Sequence, residues 1–253
     1  MSLLFIVLLI IAITSLLGLT AGILLLWFAA RIKWLSNYLI SFAVGSLLAV
    51  AFLHLLPELV ASSPNVSMSF IVVLVGILTF YLLEKFLIVY HCHHNEHCEV
   101  HVSSTPLIII SDTLHNFLDG MVIASAFFAD FRLGIVAAVA VLFHELPQEI
   151  GDFAVLWHNG MTRWRIIFWN VISALASVGG ALLVWWLDQR ILLFNTWLLA
   201  FAAGNFIYIA CTDLMPMTNS QRRTRDITGH ILALALGLAA IVAVGRLLPE
   251  VAI

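Results

Sequence analysis

The chain has few charged residues and few cysteines. Asp, Glu, Lys and Arg make up only 10% of its 253 residues and 63% are hydrophobic, whereas soluble domains have about 25% charged residues. A water-soluble globular domain is therefore excluded. The three cysteines, Cys92, Cys98 and Cys211, form no CxxC pair. Neither a disulfide framework nor a dithiol redox motif is indicated.

Long uncharged apolar runs recur along the chain. Each is close to the roughly 20 residues that a helix needs to cross the hydrocarbon core of a membrane. The first run lacks a preceding basic segment and is about twice as long as the apolar part of a signal peptide, so we count it as a span. The connections between runs are too short for a soluble domain. We predict an all-α integral membrane protein, one transmembrane domain over 1–253, with eight spans at 3–30, 38–60, 68–90, 105–128, 132–157, 165–187, 194–217 and 227–248.

The positions of Lys and Arg predict the orientation of the spans. Cytoplasmic loops are enriched in these residues. Eight of the 11 lie in or beside the connections after spans 1, 3, 5 and 7, namely Arg31, Lys33, Lys85, Arg163, Arg165, Arg222, Arg223 and Arg225. These connections should be cytoplasmic, which leaves both termini extracytoplasmic. The expected location is the plasma (inner) membrane.

Two segments of the chain resemble each other. Residues 42–57 align without gaps to 201–216, with identities at Phe42/Phe201, Ala43/Ala202, Gly45/Gly204, Ala51/Ala210, Leu55/Leu214 and Pro57/Pro216. The segments belong to spans 2 and 7, which cross the membrane in opposite directions. We therefore predict an inverted repeat of 3+2+3 helices, an arrangement common in secondary transporters whose binding site lies near the bilayer midplane.

Spans 4 and 5 carry unusually many polar residues. In span 4 they occur at i, i+3, i+4 and i+7, which is one helix face: Asp112, His115, Asn116 and Asp119. In span 5 they also share one face: His144, Glu145, Gln148, Glu149 and Asp152. His115 and His144 are both near the middle of their spans, so the two faces should meet at the same depth. Such residues are costly in a membrane and indicate function.

The mixture of imidazole and carboxylate groups on these faces indicates a metal site. Several buried carboxylates without a cation would be strongly unfavourable. Imidazole with carboxylate suits zinc and also iron, manganese or cadmium. The sequence therefore predicts that a divalent metal ion binds between spans 4 and 5.

Other candidate residues lie away from this centre. His54 and Glu58 are in the outer half of span 2, and Asp213 is near the inner end of span 7. They are either binding positions at the two mouths of a pathway or interfacial side chains. The predicted cytoplasmic loop 91–104 is rich in histidine, including His91, His93, His94 and His97. This composition predicts metal binding, either as a receiver or sensor of delivered metal or as a structural zinc site.

The sequence HNFLDG at 115–120, followed by HELPQEIGDFAVL from 144, resembles the ZIP (Zrt/Irt-like protein) metal transporters. The eight spans, the histidine-rich loop and LHLLPE in span 2 are similar to that family too. The resemblance implies uptake of zinc or related divalent ions into the cytoplasm by a homodimer. Helices 1, 4, 5 and 6 would move against helices 2, 3, 7 and 8. The metal is cargo, so no cofactor is expected, and the partners are metal ions, the lipid bilayer and a second copy, with no nucleic acid.

The resemblance also implies two adjoining ion positions that share Asp119. One would use His115, Asp119, His144 and Gln148, and the other Asn116, Asp119, Glu145 and Gln148. This chain departs from its relatives at Gln148, where they have histidine or glutamate. Span 6 also lacks the glutamate of some members, and Asp119 stands where glutamate is common. We therefore expect one tightly bound ion and at most one weak neighbour.

Two alternatives belong to other functional classes. HELPQ at 144–148 is one residue away from the HExxH motif of zinc proteases, and FLDG at 117–120 is similar to a motif of intramembrane proteases. However, Gln148 replaces the second histidine, Pro147 lies between the two ligand positions, and the motifs occur in the reverse order. We therefore expect no enzyme activity. A metal-gated channel or sensor would use the same ligands, and the sequence does not separate it from a carrier.

Overall fold

The computed structural model describes residues 3–92, 105–188, 194–218 and 224–247, and these residues form helices joined by short turns. The prediction of an all-α protein is confirmed. Five helices are α3 (Val66–Cys92), α4 (Thr105–Ala129), α5 (Phe131–His158), α6 (Arg163–Asp188) and α8 (Thr224–Leu247). The labels α1 (Leu3–Phe28), α2 (Tyr38–Ser62) and α7 (Thr196–Thr218) denote the membrane-spanning parts of slightly longer helical stretches.

Seven of these described helices are long and apolar enough to cross a membrane, namely all except α4. Helix α4 has 25 residues, which is also sufficient length, but its apolar character is reduced by the polar face predicted from the sequence. The fold is therefore that of a multi-pass membrane protein.

The connection expected between the first two spans is itself helical. Within Leu3–Val50 two helices meet at a kink, at Phe28, whose backbone is non-helical (φ −128°, ψ 30°). The predicted division into two spans agrees with this kink, and residues 31–37, expected as a connection, are helical. The segment between Phe28 and Tyr38 contains neither proline nor glycine, so no residue in it stops helix propagation.

Helices α2 and α7 each contain a wider, π-helical segment, at Ala51–Leu55 and Ile209–Leu214. Each segment lies just before a proline, Pro57 or Pro216. Because proline has no N–H group, the carbonyl four residues earlier loses its α-helical partner, and a local widening accommodates the change. The two distortions occur at the positions that align in the sequence.

Helices α4 and α6 approach each other closely through two glycines. A Cβ atom on Gly120 would collide with the carbonyl oxygen of Ser177, and one on Gly180 would collide with the carbonyl oxygen of Phe117. Small residues at such contacts allow helix backbones to pack closely in a membrane. On the other side, α1, α5 and α6 share an apolar cluster that includes Leu19 and Phe153. Helices α1, α4, α5 and α6 therefore surround the polar faces of α4 and α5.

An arginine and two tryptophans form a cluster at one end of the bundle of α1, α4, α5 and α6. The guanidinium of Arg163 lies 5.4 Å from the ring centre of Trp27 and 5.5 Å from that of Trp157. These residues are at the end of α1, the end of α5 and the start of α6. Tryptophan and arginine at helix ends are typical of the boundary between lipid and water.

Candidate metal centre

Four polar side chains from two helices converge at the middle of the bundle. They are His115 and Asp119 of α4 with His144 and Glu145 of α5, and one ligand atom from each lies within 4.8 Å of all the others. His144, Asp119 and Glu145 are only 0%, 2% and 4% exposed. These four belong to the six ligands predicted from the sequence, and the antiparallel pairing of α4 with α5 brings them together.

The distances between the ligand atoms suit a small tetrahedral cation. Nε2 of His144 is 3.1 Å from Nε2 of His115 and 3.0 Å from Oδ2 of Asp119. Nε2 of His115 is 3.5 Å from that same Oδ2 and 4.0 Å from Oε1 of Glu145. Zinc bonds of about 2.0–2.2 Å place tetrahedral ligands about 3.3 Å apart. Three of the four distances are therefore close to a zinc coordination edge.

The backbone of α5 fixes the orientation of His144. Its Nδ1 lies 3.2 Å from the carbonyl oxygen of Ala140, which can only accept a hydrogen bond, so Nδ1 carries a proton. This leaves Nε2, 3.0 Å from Oδ2 of Asp119, as the ring nitrogen that faces the other ligand atoms. A cation between these two atoms could be bound by both. Metal-binding histidines commonly use their second nitrogen in this way.

Asn116 is held beside the centre by hydrogen bonds from its amide nitrogen. Nδ2 donates to the carbonyl oxygen of Asp112 at 3.1 Å, to its Oδ1 at 2.9 Å and to Oγ of Ser173 at 3.3 Å. The amide oxygen Oδ1 therefore remains available as an acceptor or ligand. The predicted role of Asn116 is compatible with this orientation.

A small cavity of about 10 Å³ adjoins the centre, and it is enclosed by α1, α4, α5 and α6. This volume is close to the minimum for one water molecule or ion. Oδ1 of Asp119 and Oε1 of Glu145 are buried and have no hydrogen-bond partner among the described residues. The lining residues are Ile11, Thr14, Ser15, Asn116, Asp119, Ile123, Val141, Glu145 and Ser177.

The contribution of α1 to this cavity was missed in the sequence. Thr14 and Ser15 line the cavity, and Oγ of Ser15 is 3.4 Å from Oγ of Ser177 on α6. The sequence signal was the adjacent hydroxyl residues Thr14 and Ser15 within a mostly apolar span. Sequence periodicity within one helix does not show which other helix its polar face meets.

The remaining predicted residues of α4 and α5 lie on one side of the centre. Gln148 is half-buried and hydrogen-bonds the carboxylate of Asp112. Asp112 and Glu149 are 5% and 1% exposed, and Asp152 is half-buried. Glu149 interacts electrostatically with both aspartates.

His54 and Glu58 are separate from the centre and line a cavity of about 1000 Å³ between α2, α5 and α8. Arg132 of α5 also lines it and donates a hydrogen bond to the carbonyl oxygen of Gly245 on α8. The remaining predictions fall outside the described residues: His93, His94 and His97 of the loop, and the side chains of His91 and Asp213.

Comparison with known proteins relates this geometry to a family. The model of the family described as ZIP Zinc transporter matches residues 1–106 and 91–245. Zinc transporter ZIP13 of Pongo abelii is 30% identical over 223 residues, which are 83% of this chain and 66% of that protein. Zinc transporter YKE4 of Saccharomyces cerevisiae (strain ATCC 204508 / S288c) is 29% identical over 208 residues, 71% of this chain and 60% of that protein.

A third relative matches a shorter region with higher identity. Zinc transporter ZIP10 of Danio rerio is 37% identical over 135 residues, which are 52% of this chain and 16% of that protein. The chain thus spans about two thirds or less of the length of these relatives. The family consists of transporters, so the alternative of an intramembrane protease is set aside. From the match over nearly its whole length, this chain belongs to the ZIP zinc transporter family.

Proposed function

We propose that this chain carries zinc, or a related divalent metal ion, across the membrane through the centre between α4 and α5. The observation that carries the proposal is the convergence of His115, Asp119 and His144, whose facing ligand atoms are 3.0–3.5 Å apart. This spacing suits a small cation bound by imidazole and carboxylate ligands. Glu145 supplies a fourth ligand with a small adjustment.

A second, weaker ion position adjoins the first. Asn116, Asp119, Glu145, Ser15 and Ser177 all line the small cavity. Oδ1 of Asp119 and Oε1 of Glu145 have no hydrogen-bond partner among the described residues. Hydroxyls are neutral ligands and bind a divalent cation less strongly than the glutamate that some relatives have in span 6. One tight and one weak ion is therefore the expected stoichiometry.

The proposed mechanism is alternating access by an inverted repeat. Gly45 of α2 packs on the backbone of α8 at Leu234, and the aligned Gly204 of α7 packs on the backbone of α3 at Val73. These equivalent contacts and the two aligned π-helical segments support the repeat. In this mechanism, α1, α4, α5 and α6 move against the other four helices of a homodimer. Both termini are extracytoplasmic, and the loop 91–104 receives metal in the cytoplasm.

Uptake into liposomes tests this function directly. Vesicles that contain the purified chain should accumulate zinc in proportion to time and protein, and empty vesicles should not. Competition with iron, manganese and cadmium, with and without an imposed pH gradient, measures selectivity and driving force. Absence of accumulation by the unmodified chain would refute the proposal. A flux above about 10⁴ ions per second would indicate a channel, because domain motions take microseconds to milliseconds.

We expect Gln148→His to strengthen zinc binding. Imidazole is a better zinc ligand than a neutral amide, and residue 148 lies one turn after His144 on the same face. Zinc affinity should increase about tenfold, the lower end of the roughly 10–100-fold effects of residues around metal ligands. Calorimetry on purified protein measures this affinity. Asn65→His, at an exposed position between α2 and α3, is the matched control. Equal affinities for the two variants would show that residue 148 does not reach the ion.

A further inference from the structure

Three carboxylates form a second acidic group along α4 and α5. Asp112 lies three residues before His115, and Glu149 and Asp152 lie four and seven residues after Glu145. At about 1.5 Å per residue, the group begins about 5 Å from the centre and extends to about 10 Å from it. Because α4 and α5 are antiparallel, all three carboxylates are displaced toward the same end of the bundle. This is the end at which Arg163 contacts Trp27 and Trp157.

Glu149 is the most deeply buried of these three carboxylates. Glu149 is 1% exposed, and its Oε2 has no hydrogen-bond partner among the described residues. The charged groups that interact with it are Asp112, Asp152 and Glu145, all of them acids. A buried, unpartnered carboxylate oxygen close to other carboxylates is strongly unfavourable in a membrane unless a cation joins them.

Neutral groups complete the surroundings of this acidic group. Asp112 accepts hydrogen bonds from Asn116 and Gln148, and Ser173 of α6 hydrogen-bonds it as well. Asp152 is half-buried, so the group opens toward its outer end. These contacts orient Asp112 and leave Oε2 of Glu149 available for a ligand.

Helix α1 connects the acidic group with the metal centre. A Cβ atom on Gly18 would lie 3.6 Å from Oε2 of Glu145 and 3.9 Å from Cγ of Glu149. A single residue of α1 therefore borders both glutamates. Since Gly18 has no side chain, it places no group between Glu145 and Glu149.

We propose that Asp112, Glu149 and Asp152 form a separate binding site for a divalent cation, through which the metal leaves the centre toward the cytoplasm. The binding site stands on the geometry of the carboxylates, and its role in release rests on the transport function proposed above. It is distinct from the two adjoining ion positions at Asp119, because none of its three carboxylates belongs to them.

The ligand chemistry of this exit site differs from that of the centre. The centre offers two imidazoles, which suit zinc, whereas the exit site offers only oxygen ligands, which suit Mn²⁺, Mg²⁺ or Ca²⁺. Zinc should therefore bind the exit site more weakly than the centre. A zinc ion that moves from the nitrogen ligands to the carboxylates is held less tightly and dissociates more readily.

Mn²⁺ is the probe for this site, because electron paramagnetic resonance distinguishes free from bound Mn²⁺. The measurement uses the full chain in lipid nanodiscs and the His115→Ala background, in which the centre is disabled. Bound Mn²⁺ should persist in His115→Ala, and its affinity should fall more than tenfold when Glu149→Gln is added. Asp152→Asn, at a half-buried position, should weaken binding in the same direction. The control is Asp130→Asn, which neutralises a carboxylate at the opposite end of α5 and preserves a helix-capping residue.

Zinc uptake by the single variants tests the role in release. Glu149→Gln should retain tight zinc binding at the centre and slow uptake at least fivefold, and Asp130→Asn should transport at the unmodified rate. Unchanged Mn²⁺ binding in both Glu149→Gln and Asp152→Asn would overturn the site. Lost Mn²⁺ binding with unchanged uptake would overturn its role in release. Failure of the unmodified chain to transport zinc would refute the proposed function instead, and the Mn²⁺ measurement would still decide whether the site exists.

Discussion

Zinc uptake by the His115→Ala variant is expected to fall below about 1% of the unmodified rate. Nε2 of His115 lies 3.1 Å from Nε2 of His144 and 3.5 Å from Oδ2 of Asp119, so its loss removes one corner of the proposed zinc coordination. Loss of an indirect partner of a metal site already costs about 10–100-fold in affinity or activity. Loss of a direct ligand should cost more. Time-resolved uptake of labelled zinc into liposomes measures the effect.

His230→Ala is the matched control for His115→Ala, since it removes the same imidazole from another helix. Nδ1 of His230 is 2.6 Å from Oγ of Ser41, and its ring stacks on Tyr38, so it joins α8 to α2 away from the four ligands. Its uptake should remain near the unmodified value. The proposed centre would be wrong if His115→Ala inserted normally into the membrane and still accumulated zinc as fast as the unmodified chain. Asp119→Ala should give the same loss, because both histidines contact Oδ2 of Asp119.

The Gly120→Val variant is expected to lose stability and zinc binding together. Its Cβ atom would collide with the carbonyl oxygen of Ser177, and a backbone atom cannot move aside as the end of a flexible side chain can. Added volume in a packed core typically costs about 1–3 kcal/mol, and separation of α4 from α6 should bring the cost to at least the upper value. Gly120 directly follows Asp119, so a shift of α4 also displaces a ligand. Thermal unfolding in detergent should show a midpoint lowered by more than about 5 °C.

Gly151→Val is the control for this prediction, because it makes the same change within a helix at a position with open space. A Cβ atom on Gly151 would meet no atom within 4 Å. Its unfolding midpoint should therefore stay within about 2 °C of the unmodified value. Equal losses for the two variants would mean that helix propensity, rather than the contact between α4 and α6, accounts for the effect.

The all-α class and the membrane-spanning helices were predictable from the sequence, because a helix in lipid must satisfy its own backbone hydrogen bonds along one apolar run. The polar faces of α4 and α5 were predictable for a similar reason, since the spacing of His115 and Asp119 within one helix fixes their common face. The extension of helix through residues 31–37 was not predicted. Hydropathy shows where a chain becomes polar, but not whether its backbone remains helical. Residues 31–37 contain neither proline nor glycine, so no residue in them ends the helix.

What the sequence by itself determined was therefore local: the class of the fold, the apolar helices and the residues on each polar face. The tertiary structure decided which of these residues meet. It brought His115, Asp119, His144 and Glu145 within ligand distance, placed Thr14 and Ser15 beside the adjoining cavity, and left His54 at a separate one. The physical reason is that helix pairing depends on packing between residues far apart in the chain, such as Gly120 against Ser177. Periodicity within one helix carries no information about such contacts.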